Sequence, residues 1–282
     1  MRRLCIIVLS LAAAFAPGAA RADEPPAVIG FENPESAAWD AGTSGWYVSS
    51  KGGLTGDLVN RNGNGFISRV SRDGAVEKFV GGLNSPFGVA VAADTLYAAD
   101  IDRLDVISIS ERRLVQTIAI PGSGGGLNDV AVDHATGDVY LSASAQNRIF
   151  RVVTGEEPTV EVFVEGDALE LPNGLLVEDE TLLVATLGIA QGGGRLLKID
   201  LATKQTTIAS QRIGTLDGVV RHGDDYLVTD FINGRLMRVA PNGSASLVAP
   251  LPPSAADLGI DPVREVVAVP LTFEHAAVFL PL

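Results

Sequence analysis

Cysteine is almost missing from this chain, with Cys5 the single one among 282 residues. That excludes a disulfide framework and a cysteine-built metal cluster. Histidine is nearly as scarce. His134, in DHATGD, and His222, in RHGDD, read as exposed loop residues, and His275 lies close to the C-terminal end; no two have metal-ligand spacing. There is no G-x-S-x-G elbow, no phosphate-cradling glycine loop and no cysteine placed to act as a nucleophile. Basic residues are outnumbered, 21 Lys and Arg against 34 Asp and Glu, a net charge of −13 that argues against nucleic acid and anionic membrane surfaces as partners.

Long apolar runs are also lacking, with one exception at the start. Residues 4–15 are apolar, follow Arg2 and Arg3, and precede Ala20-Arg21-Ala22. Residues 1–22 therefore read as a secretory signal peptide, too short in its apolar part to span a bilayer. Cleavage before Asp23 removes Cys5 and three arginines, which takes the charge from −13 to −16. Cys5 lies inside the run and not at its C-terminal end, so no lipid anchor is expected. The expected product is a periplasmic or secreted domain, residues 23–282, held by packing and strand pairing alone.

What the chain does have is a repeat. LPNGLLVEDETLLVAT, at 171–186, has recognisable relatives at PESAAWD (34–40), PFGVAVAADTLYAAD (86–100), LNDVAVDHATGDVYLSA (127–143), LDGVVRHGDDYLVTD (216–230) and ADLGIDPVREVVAVP (256–270). The second residue of each repeat is Glu35, Phe87, Asn128, Asn173, Asp217 and Asp257, with separations of 52, 41, 45, 44 and 40. That period predicts an all-β, six-bladed β-propeller. Third strands such as RIFRV and RLMRVA alternate as half-buried strands do, and VEKFV and VEVFV read as fourth strands. A short strand at 28–31 is expected to complete the sixth blade and close the ring, removing exposed sheet edges. An insertion at 51–66 carries Asn60, Asn62, Asn64 and Gly65 like the start of a calcium loop. Ser71 stands where a bidentate glutamate is needed, so the segment reads as a Gly/Asn turn.

In a propeller, the same position of each blade lies at the same radius, so a residue at the mouth of the innermost strand faces the central channel six times over. Five of the six carry oxygen. Asn173-Gly174 and Asp217-Gly218 would each be ordinary turns taken singly; the repeat puts them at the start of an apolar strand, in phase. Glu35, Asn128, Asn173 and Asp217 are thus expected to converge. Two carboxylates crowded together repel unless a cation joins them. The all-oxygen set favours calcium, with zinc, manganese or magnesium also accepted, and leaves open positions suited to catalysis. Phe87 is expected to be an apolar wall. Asp257 is read either as a substrate-facing or supporting carboxylate or as a strand cap. Asp100 and Asp230 either line the channel lower down or end in solvent, and Arg148, Arg195 and Arg235 read as solvated.

These residues resemble the family of gluconolactonase, senescence marker protein (regucalcin) and related six-bladed propeller hydrolases. The resemblance spans roughly residues 30–282 and rests on the glutamate of PESAAWD, the Asn-Asp of LNDVAVD, the asparagine of LPNGLLV and the aspartate of LDGVV. It implies Glu35, Asn173 and Asp217 as metal ligands, Asn128 as holder of metal-bound water or substrate, and Asp217 as general base, or nucleophile in a phosphotriesterase variant. The implied reaction is hydrolysis of a lactone or ester. Two departures point away from gluconolactone itself: Gly126 stands where the sugar-lactone enzymes tend to have an arginine, and Glu35-Ser36-Ala37 replaces Glu-Gly-Pro. The SGGG run at 123–126 suggests an open or mobile rim rather than a sugar-hydroxyl clamp. The alternative is a non-catalytic periplasmic propeller that binds a ligand or protein partner.

Overall fold

The structure is a computed structural model that describes residues 27–53 and 60–282. The expected signal peptide and its cleavage site lie outside the described residues, as does the middle of the first-blade insertion.

The described residues form six four-stranded antiparallel sheets. Their innermost strands are Pro34–Asp40, Pro86–Ala92, Leu127–Val132, Pro172–Glu178, Leu216–His222 and Gly259–Asp261. Each of the first five sheets runs outward in chain order; the sixth takes its outermost strand, Ala27–Ile29, from the N-terminal side. Ala27 pairs with Val278 and Val28 with Ala277, so the ring closes as the sequence predicts.

The core is divided among the junctions. Six apolar clusters each join neighbouring blades, for example Tyr97, Leu104 and Phe150 between blades two and three, and Phe31, Trp46 and Ala277 between blades six and one. Because each blade is faced by a neighbour on both sides, its middle strands are buried on both faces. Gly45–Ser50 is buried at every residue and the third strand, Gly65–Val70, at all but one. Third strands such as Arg148–Val153 and Arg235–Val239 bury most of their apolar residues and leave their arginines half-buried, as expected, while fourth strands such as Val76–Leu83 meet solvent more widely.

Several polar residues are more deeply engaged than the sequence suggests. Asp100 and Asp230 are fully buried opposite Pro86 and Leu216 at the top of their blades. Asp100 accepts from the amides of Asn84 and Ser85 at 2.8 Å and pairs with Arg103; Asp230 accepts from Thr215 N at 3.1 Å and pairs with Arg235. Each clamps the loop that enters its own blade. Arg148 and Arg195 are likewise ion-paired, with Glu165 and Glu170. His134 is exposed. His222 is half-buried, its Nδ1 lying 3.2 Å from Arg238, and His275 Nδ1 accepts from Asn33 N at 3.0 Å. In the insertion, Asn60 and Asn62 accept from the amides two residues on, forming Asx turns.

A candidate site at one end of the channel

One irregularity recurs around the ring. In blade one, Pro34 pairs with Ser50 and the next pair is Ala37 with Val48, so the inner strand advances three residues while its partner advances two. The same shift follows Pro86, Leu127, Pro172 and Leu216. Each inner strand therefore begins with a β-bulge, which frees two residues from the ladder and re-aims them. The freed amides find partners on second strands: Ser36 N donates to Ser49 Oγ, Asp129 N to Ser142 Oγ and Gly218 N to Thr229 Oγ1.

The first freed residue is Glu35, Phe87, Asn128, Asn173 or Asp217. Small residues follow because the strands crowd around the axis. A Cβ on Gly174 would lie 2.2 Å from the Asp217 carbonyl oxygen, and one on Gly218 2.1 Å from Asp257 Oδ1.

Blade six corrects the alignment. There Ala255 pairs with Leu271 and Gly259 with Ala268, again with one extra residue on the inner strand. Ala256 thus occupies the position of Glu35, and Asp257 falls one step further along the channel, in phase with Ser36 and Asp129. Ser36 and Asp257 bridge directly. The apolar spacing of ADLGIDP had suggested the other phase.

The channel is consequently layered. Glu35, Asn173 and Asp217 are buried in the outer layer, with Phe87 and Asn128 partly exposed. Asn173 Nδ2 donates to Leu216 O at 3.4 Å. Glu35 Oε2, Asn173 Oδ1 and Asp217 Oδ1 are buried oxygens with no hydrogen-bond partner, a state that costs about 1–3 kcal/mol each unless something satisfies it. Three orphaned oxygens on the same layer fit a hard cation. Among the described residues no three His, Cys, Asp or Glu side chains cluster as ligands. The next layer holds Ser36, Asp129 and Asp257. Ser36 Oγ donates to Asp257 and accepts from Val89 N, and Asp129 accepts from Val130 N and Leu175 N. Beyond it a cavity of about 300 Å³, walled by residues such as Ala38, Val132 and Val220 together with Asp129, Asp257 and His134, opens at the opposite end.

The carboxylates press on one another. Burial first, then Glu35 and Asp257, push Asp217 well above the usual carboxylate range. Burial, then Asp257, does the same to Asp129, and burial raises Asp257 to about 7. Burial also raises Glu35, with Lys51 opposing. Lys51 is a channel residue that the repeat pattern does not flag. It is 3% exposed, its ammonium lies 4.5 Å from the centre of the Phe87 ring, and burial lowers its pKa against the pull of Glu35 and Asp217.

At blade three the rim is only partly packed, with Gly122 and Gly124 exposed. Ser123 is buried, and Gly126 N donates to Ser123 O at 3.2 Å. Gln146 fills the space over Gly124 and Gly126, its Oε1 buried and without a partner.

No protein-family model matches the chain, and no curated protein matches it in sequence. Solved structures do. A gluconolactonase from Xanthomonas campestris, described as important in glucose secondary metabolic pathways, aligns over 91% of this chain and 88% of its own at 16% identity, with a TM-score of 0.69. A putative gluconolactonase aligns over 91% of each chain at 16% identity and a TM-score of 0.66. A chain of the nidogen/laminin complex aligns over 80% of this chain and 84% of its own at 16% identity, with a TM-score of 0.62. One backbone thus carries both an enzyme and a component of a protein complex. The chain shares the six-bladed β-propeller fold of the gluconolactonase structures.

Proposed function

We propose that this protein is a metal-dependent hydrolase of lactones or related esters, acting in the cell envelope after loss of its leader. The observation that carries this reading is the set of orphaned oxygens on Glu35, Asn173 and Asp217. These three residues would hold one divalent cation, with calcium favoured by the all-oxygen donors. When bound, such an ion supplies Lewis-acid polarisation of the ester carbonyl. Asp217 takes the proton of the attacking water, a role open to it once a bound cation favours its ionised form. Asn128, partly exposed and with a side chain that makes no hydrogen bond among the described residues, orients the substrate, and Phe87 gives it an apolar wall. Asp257, one layer deeper, accepts from Ser36 Oγ and acts on the site through its charge in place of touching substrate.

The rim favours an apolar ester over a sugar lactone. Gly126 supplies no sugar-binding cation, while Ile189, Ile232 and Phe273 stand exposed on loops at the same end of the ring as Glu35. The test is a metal analysis of the purified protein, then turnover of aliphatic, aryl and sugar lactones before and after chelation. Metal-dependent turnover supports the enzyme. Bound metal without turnover on any ester favours a non-catalytic propeller that binds a ligand or protein.

A further inference from the structure

We propose that Lys51 is a tethered counter-ion of the channel site, one that competes with a divalent cation for Glu35 and Asp217 and keeps the affinity for free metal low. The inference rests on the reading of Glu35, Asn173 and Asp217 as a cation site. Lys51 directly follows the second strand of blade one, Gly45–Ser50. Its backbone is fixed, N donating to Asn33 O at 3.2 Å and the carbonyl accepting from Ser85 Oγ at 3.4 Å. The side chain runs inward, 3% exposed, to place its ammonium over Phe87.

A buried ammonium is costly unless it is paired. Among the described residues this one makes no side-chain hydrogen bond and no ion pair. The opposite charges that act on it are Glu35 and Asp217, the same carboxylates that carry orphaned oxygens. Lysine and carboxylates therefore act on one another through charge without an ion pair joining them, the ammonium resting on the Phe87 ring instead. The blade architecture does not require a charge there. The residues that follow the equivalent ladder pairs in the other blades are Ile101, Ser144, Leu187, Phe231 and Thr272, all uncharged. Without metal, the ammonium offsets the negative charge that Glu35 and Asp217 share. A divalent ion offsets both, and ion and ammonium then repel at short range in a site shielded from water. Loading the ion must push Lys51 away, so binding is weaker by that cost.

Calorimetric titration of calcium or manganese into the wild-type protein and Lys51→Met tests this without reading catalysis. Lys51→Met is expected to bind about tenfold or more tightly, and Lys51→Arg, which keeps the charge, to stay near wild type. If Lys51→Met does not fold, Lys51→Gln makes the same comparison. Equal or weaker binding by the neutral variant overturns the inference, as does absence of binding in both proteins. Tighter binding by Lys51→Met in a protein that turns over no ester removes the hydrolase reading and leaves this one standing; an active wild type with unchanged Lys51→Met affinity does the reverse.

Discussion

Ser36 and Asp257 fasten the ring at its seam: the Ser36 hydroxyl donates to the Asp257 carboxylate, and the two residues bridge as neighbouring strands. Ser36 Oγ also accepts from Val89 N at 3.1 Å, and Asp257 N donates to Glu35 O at 2.9 Å, so blades six, one and two meet at one hydroxyl. Ser36→Ala leaves a buried amide and a buried carboxylate short of a partner. The expected loss is about 1–3 kcal/mol, read from urea denaturation, and an unmoved midpoint counts against this role.

The strand Ala27–Ile29 covers the edge of Ala276–Pro281. A variant lacking residues 27–29 exposes that edge to other copies. It should unfold at lower temperature and show concentration-dependent association by light scattering.

Gly174→Ala puts a methyl group against the backbone of the next blade, 2.2 Å from Asp217 O. Overpacking of this kind costs about 3 kcal/mol and displaces Asn173 and Asp217 together. Gly137 has a φ of +81° and open space around it, so Gly137→Ala should cost only about 1 kcal/mol. Thermal unfolding of both, with metal titration of Gly174→Ala, separates backbone strain from crowding at the channel.

Asp217→Asn should lower ester turnover by about 10²- to 10⁴-fold, the range for loss of a general base, with little change in fold by circular dichroism. Glu35→Gln should weaken metal binding more than it alters unfolding. Turnover that survives Asp217→Asn would transfer the proton-accepting role elsewhere.

Asp105 gives a pH signature away from the channel. Arg103 serves two buried carboxylates, Asp100 at 2.7 Å and Asp105 at 3.1 Å. Burial outweighs its share of that charge and raises Asp105 to about 6, from an ordinary 3.8. A folded-state value above the unfolded one means that Asp105 contributes its full stability below about pH 4 and loses it as pH rises through 6. Asp105→Asn should flatten that fall and leave the protein as stable or up to about 2 kcal/mol more stable at pH 7.5. A steeper fall in the variant would show that Arg103 holds Asp105 ionised.

The repeat was legible because its apolar spacing is set by burial between blades, and Pro34, Pro86 and Pro172 mark the same ladder position each time. The closing strand followed from ring geometry. The bulge was not legible, since an extra residue leaves no trace in an apolar alternation that simply resumes after it; that is why Asp257 took the wrong phase. Lys51 escaped for the opposite reason. It breaks the repeat, appearing in one blade only, and a search for what recurs passes over what is singular. Gln146 fills from a neighbouring turn the space that Gly126 leaves open, a substitution across space that no linear motif records.

The bulged pairs have a longer reach. Because the first side chain of each pair lies outside strand pairing and regular hydrogen bonding resumes behind it, that position can be rewritten one blade at a time without unravelling a sheet, whereas the second is held by crowding or by bonds such as those of Ser36. Natural variation, or a designer grafting donors for another ion, has six independent addresses on one ring to work with, and their amino acids set the chemistry while the frame stays constant.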